Sequence, residues 1–98
     1  MTKSWNAVVS GADAKFYPEI MANQVELTLQ YERGRVLFRI ADTLDNRMGM
    51  YRIFNTGSLS DLNGKCCRLE MDDYTGEAMS IKNLIYDSVQ PMQNDPII

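Results

Sequence analysis

Residues 25–40 read VELTLQYERGRVLFRI, and their polarity alternates. Val25, Leu27, Leu29 and Tyr31 interleave with Glu26, Thr28, Gln30 and Glu32, the two-residue period of a half-buried strand. Beyond Arg33 and Gly34 the alternation resumes, with Val36, Phe38 and Ile40 on one side and Leu37 and Arg39 on the other. A two-residue turn at Arg33-Gly34 sets Glu32 opposite Arg35, Tyr31 opposite Val36, Leu29 opposite Phe38 and Leu27 opposite Ile40. Every large apolar side chain except Leu37 then falls on one face. A three-residue loop slips the register by one and sets Arg35 and Arg39 against Tyr31 and Leu27, which argues against it.

The same pattern predicts the remaining elements. Residues 4–11 form a strand with Trp5, Ala7 and Val9 on one side. In residues 12–23, Pro18 follows two aromatics, and a loop or short turn that lays Phe16 and Tyr17 on the sheet is expected. Residues 41–56 read as a helix, capped by Asp42 or Thr43, with Asp45 in its first turn and Gly57 at C′. Leu44, Met48, Tyr51 and Ile53 or Phe54 fall at helical spacing on its apolar face. Gly49 costs such a helix about 1 kcal/mol relative to alanine, and Met48, Met50 and Phe54 also suit a strand. Residues 58–65 are a turn-rich connection anchored by Leu62, with a tight turn at Asn63-Gly64. A second hairpin follows, with strands at 65–71 and 77–86 around a turn at 72–76. The tail, residues 88–98, holds two prolines, and its end is either loose or pinned to a neighbouring subunit by Ile97 and Ile98. The expected architecture is one α+β domain over residues 1–98, an antiparallel sheet of two hairpins and an N-terminal strand with one main helix packed on it.

Composition narrows the chemistry. A chain of 98 residues buries a single modest core, and self-association is expected to help it. A net charge of −3 argues against a duplex-DNA partner, which needs a basic stripe, but leaves room for a small anion held by a few arginines. The absence of histidine removes the commonest general base and the commonest metal ligand. No apolar run reaches membrane-spanning length and the first residues lack a signal-peptide core, so a cytoplasmic protein with no membrane partner is expected. Cys66 and Cys67 are adjacent and on a strand point to opposite faces, one buried and one partly exposed, which disfavours a disulfide or a shared metal.

Candidate reactive groupings are sparse. Glu70, Asp72, Asp73 and Glu77 do not follow a calcium-loop spacing, and acidic residues at a hairpin tip are ordinarily solvated, so no metal is expected. No serine or cysteine triad forms without histidine, nothing selects a pair of carboxylates, and the glycines make no phosphate loop. The sequence therefore reads as a non-enzyme without a cofactor. Arg39, Arg47 and Arg52 lie in segments that also carry Phe38, Tyr51 and Phe54, with Tyr86 further on. A guanidinium fork and an aromatic face are what a nucleotide's phosphate and base require. The bland reading of the same residues is core aromatics and solvated surface arginines.

From residue 44 to 91 the chain resembles a family of small phage-encoded proteins. The resemblance rests on Gly57, then Ser58-Leu59-Ser60-Asp61-Leu62-Asn63-Gly64-Lys65, Cys66-Cys67-Arg68-Leu69, Ile81-Lys82-Asn83-Leu84-Ile85-Tyr86-Asp87 and Pro91. That pattern is similar to the phage Thoeris anti-defence sponges. The resemblance implies an oligomer, with pockets between subunits, that holds a cyclic ADP-ribose isomer or a cyclic oligonucleotide without cleaving it. Phe38-Arg39-Ile40-Ala41 stands where the family has a glycine-rich segment, and Lys82 stands where it has glycine. By position the resemblance implies Phe38, Arg39, Arg68, Lys82 and Asn83 as ligand contacts, and the arginine chemistry adds Arg47 and Arg52.

Two other classes fit the same chain. A protein-binding inhibitor of a host defence complex, of the anti-CRISPR kind, would present an acidic face from Glu70, Asp72, Asp73, Glu77 and Asp87. A phage accessory or assembly protein also fits a domain of this size.

Overall fold

The structure, a computed structural model, describes residues 2–95. Its elements are β1 (Thr2–Tyr17), β2 (Ala22–Tyr31), β3 (Gly34–Ala41), α1 (Leu44–Phe54), a 3-10 turn (Ser60–Leu62), β4 (Cys66–Asp72), β5 (Ala78–Lys82) and β6 (Met92–Gln93). The strands form one antiparallel sheet in the order β3-β2-β1-β4-β5-β6, with a single helix, as the α+β reading expects.

The central hairpin keeps its faces but not its turn. Tyr31 pairs with Gly34, Leu29 with Val36, Leu27 with Phe38 and Val25 with Ile40, so the turn is Glu32-Arg33 and the register differs by two from the expected one. A shift of two preserves parity, so hydrophobic alternation cannot detect it. Gly34 carries a φ of +142°, a value that glycine adopts without strain, and this lets the ladder begin at Gly34 itself. Val25, Leu27, Leu29, Phe38 and Ile40 are all buried.

β1 overruns its expected end. It pairs with β4 through Thr2–Val8 and with β2 through Val8–Tyr17, bending at a bulge around Ser10. The loop expected at 12–23 is therefore mostly strand, and only residues 18–21 turn. Pro18 suits that turn because its missing N–H is not needed there, while Ile20 N–H donates to the Tyr17 carbonyl at 3.2 Å. Phe16 belongs to β1 itself and is 56% exposed, while Tyr17 reaches Glu26 on the sheet with its hydroxyl.

Residues 44–54 are helix, which settles the alternative of a strand over Met48–Phe54. Thr43 caps it, accepting from the Asn46 N–H at 3.1 Å, and Asp45 lies in the first turn. Its end is set by Asn55 in the left-handed region, not by Gly57: Asn55 N–H donates to Arg52 O and Thr56 N–H to Tyr51 O. The buried face is Met50, Ile53 and Phe54, whereas Leu44 is 76% exposed and Met48 is also exposed. A Cβ at Gly49 would stand 2.7 Å from the methyl of Met92, the end of a flexible side chain that would have to swing aside.

The second hairpin is shorter than expected. Asn63 and Gly64 form a tight turn, with Lys65 N–H donating to Leu62 O at 3.0 Å and Leu62 fully buried. β5 stops at Lys82, because Asn83 folds the chain back into a turn. Part of the expected tail becomes β6, which pairs Gln93 with Ser80 and Met92 with Ile81. Beyond it, Asn94 N–H donates to Met79 O, and its side chain donates to Ala78 O and accepts from Arg39 N–H. Asp95 N–H then donates to Arg39 O. The short segment 92–95 thus bonds to both β5 and β3 and curls the sheet toward closure. The expected contact through Ile97 and Ile98 lies outside the described residues.

Candidate functional site

The predicted ligand residues divide sharply by environment. Phe38 is fully buried among core side chains, so its ring offers no face to a ligand in this chain. The register explains this, since Phe38 pairs with Leu27 on the inner face of the sheet.

Arg39 is already engaged. Its Nε donates to Glu26 at 2.9 Å, and the same carboxylate accepts from Lys15 at 2.9 Å and from the Tyr17 hydroxyl at 3.2 Å. Burial pushes the Glu26 carboxyl up, but the hydrogen bonds from Lys15, Arg39 and Tyr17 outweigh it and hold the group below its ordinary value. Arg47 is likewise committed, with Nε 2.6 Å from Asp42 Oδ1 and Nη2 2.9 Å from Oδ2, a bidentate pair that keeps the guanidinium charged. Hydrogen bonding to Arg47 holds the Asp42 carboxyl below its ordinary value. Arg52 sits on the last helical turn, lining a shallow depression of about 330 Å³ with Met48, Tyr51 and Thr56.

The remaining three residues come together. Arg68 on β4 stands directly opposite Lys82 on β5, and Asn6 on β1 stands opposite Arg68 on its other side. Alternation places this row on the outer face, since Cys67 and Leu69 flank Arg68 and are buried. Like charges directly opposite on neighbouring strands repel. Glu70, diagonal to Lys82, forms an ion pair with its ammonium and relieves one of the two cations. Among the described residues, Arg68 has only a long contact from Nη2 to the Leu84 carbonyl, at 3.5 Å, at the limit for a hydrogen bond.

Asn83 has a different task from its neighbour. Its Nδ2 donates to Ile53 O at the end of α1, and its Oδ1 accepts from the N–H groups of Ile85 and Tyr86. Those bonds occupy the amide within the fold, tie the helix to the sheet, and turn the chain so that Tyr86 is 63% exposed. Arg68 and Lys82 thus face each other on the outer surface with Glu70 paired to Lys82, and Tyr86 is exposed in the turn that follows β5.

Asn6 was not among the sequence candidates. Its polarity in the pattern Trp5-Asn6-Ala7 marks an outward position, but nothing in the sequence says that β1 lies beside β4. The cysteines behave as alternation requires: Cys66 is exposed, and Cys67 is buried, which pushes its thiol up to about 12 and keeps it protonated at neutral pH. Among the described residues, no group of three or more Cys, Asp or Glu side chains is arranged to hold a metal ion. No helix among them is long and apolar enough to cross a membrane. No protein-family model, curated protein or solved structure matches this chain.

Proposed function

We propose that this chain is a non-catalytic binding protein that sequesters an anionic, nucleotide-type signal. The ligand class is a cyclic ADP-ribose isomer or a cyclic oligonucleotide, and the role is that of the phage counter-defence sponges that residues 44–91 resemble. The observation that supports this reading is the Arg68–Lys82 pair, two cations facing each other across neighbouring strands, with Glu70 on the next rung paired to Lys82 alone among the described residues. A phosphate placed there relieves their repulsion and meets a guanidinium whose fork has no carboxylate partner among the described residues. The exposed ring of Tyr86 supplies an aromatic face for a base. The surface is open in a single copy, so enclosure of the ligand calls for a second copy over it, and a homo-oligomer in the host bacterial cytoplasm belongs to the same proposal.

The acidic-face inhibitor is the weaker alternative. Of the carboxylates it relies on, Glu70 is paired with Lys82 and Asp72 accepts from the Tyr74 and Thr75 N–H groups of its own turn.

The test is a capture assay. Purified protein is incubated with cyclic ADP-ribose isomers and cyclic di- and trinucleotides, filtered, denatured by heat, and the released material is identified by mass spectrometry. The reading expects one intact nucleotide, lost in Arg68→Ala. A degraded nucleotide would reveal an enzyme, and no retained nucleotide would shift the search to a protein target.

A further inference from the structure

The exposed residues of α1 fall on one stripe. At about 3.6 residues per turn, Leu44, Met48, Arg52 and Asn55 follow one another along the side opposite Met50, Ile53 and Phe54, with Asp45 at its flank. Leu44 is 76% exposed and Met48 44%, so the stripe that helical spacing assigns to a core lies on the solvent side. The shallow depression on this side is lined by Met48, Tyr51, Arg52 and Asn55, with Thr56 and Gly57 at its end. Those first four stand at i, i+3, i+4 and i+7, the four corners of the hole that receives one side chain of a facing helix. Leu44, one turn upstream, stands clear of its own chain as such a knob.

We infer that this face pairs two copies of the chain, α1 against α1, antiparallel about a two-fold axis at Met48. Shape and charge fix the axis independently and agree. Seating Leu44 in the partner's depression, between Tyr51 and Arg52, puts the axis at Met48. Matching Asp45 with the partner's Arg52 puts it between Met48 and Gly49, less than one residue away. Among the described residues, neither Asp45 nor Arg52 has an ion pair or a side-chain hydrogen bond within its own chain. A parallel pairing would set Asp45 against Asp45 and align the helix dipoles, whereas the two-fold arrangement opposes the dipoles and closes on itself. An eleven-residue helix is about 16 Å long. The contact is therefore smaller than the roughly 800 Å² per partner of a stable interface, and a dimer in rapid exchange follows. α1 packs its buried face on the inner side of the sheet and Arg68 lies on the outer side, so this pairing does not enclose the proposed nucleotide surface. It stands or falls independently of nucleotide capture.

The test is sedimentation equilibrium of the full chain without ligand, from about 10 μM to about 1 mM at low salt, where a reversible monomer–dimer equilibrium is expected. Leu44→Glu changes a side chain that is exposed in the single chain, so the thermal midpoint of the dilute protein is expected to hold while dimerisation weakens about tenfold or more. Asp45→Lys and Arg52→Glu each set like charges together in both halves of the contact, and each is expected to weaken the dimer about threefold or more. The two substitutions combined restore opposite charges and are expected to restore the dimer, which a merely adhesive apolar patch would not do. A monomer at every concentration would overturn the proposal. So would a dimer that survives Leu44→Glu, which would place the contact on another surface, or a double variant no tighter than the single ones.

Discussion

Glu26 and Arg68 both lie on the outer face of the sheet, and their charges are handled in opposite ways. Around Glu26, one carboxylate collects Lys15, Arg39 and Tyr17 from neighbouring strands, so cations that look available in the sequence are spent on holding the sheet. Around Arg68, a second cation stands opposite, one carboxylate serves Lys82, and the guanidinium is left with a marginal contact. Residue type alone makes Arg39 and Arg68 equivalent candidates. Cross-strand partners separate a structural arginine from one with binding capacity to spare.

The largest effect that distinguishes the two regions is on stability. Glu26→Ala removes three hydrogen bonds at once and is expected to cost about 2 kcal/mol in urea unfolding. A loss under about 0.5 kcal/mol would mean that the cluster is ornamental surface charge. Next comes Asn83→Ala, expected to cost about 1–2 kcal/mol because the helix-to-sheet tie and the turn bonds go together. Retained ligand binding in a folded Asn83→Ala protein would confirm that this residue is structural although its neighbour Lys82 is not.

Acid sharpens the contrast further. Glu26 and Asp42 are held below their ordinary values of 4.5 and 3.8, so the unfolded chain takes up protons first as pH falls. Their contribution is complete above those values, begins to fall at them, and is lost as pH drops through the lower values of the folded state. The urea midpoint is expected to fall below about pH 4.5, less steeply in Glu26→Ala. An unchanged slope in that variant would locate the acid sensitivity elsewhere. The smallest effect is expected at the other region: Arg68→Ala should leave stability within about 0.5 kcal/mol of the parent, since it removes a repulsion and one weak contact.

Much of this arrangement is legible in the sequence, and the exceptions have physical causes. The alternation in Val25–Tyr31 and Val36–Ile40 correctly separates inner from outer residues, because parity survives even a two-residue error of register. The helix is legible from its cap at Thr43, but its buried face is not. Leu44 and Met48 have the expected spacing, yet Met50, Ile53 and Phe54 are the residues the sheet covers. Asn83 and Asn94 are the least legible of all. A single asparagine that ends β5 and another that bridges β5 to β3 act through long-range partners, and no local pattern announces them. The second hairpin, which the sequence announces, puts Arg68 and Lys82 on neighbouring strands. Strands bounded at 71 and 77 set Arg68 opposite Ser80, however, and the bulge beside Met71 is what brings Lys82 across from it. The commitment of Arg39 to Glu26 likewise depends on a register two residues from the one the alternation suggests.

The most direct measurement is a calorimetric titration of a cyclic ADP-ribose isomer, or of the nucleotide that capture recovers, into the parent chain, Arg68→Ala and Arg39→Ala. Loss of about tenfold or more in affinity for Arg68→Ala, with Arg39→Ala near the parent, is the predicted result. Affinity that survives in Arg68→Ala and fails in a folded Arg39→Ala would contradict it, and would place the ligand on the β3 side of the sheet.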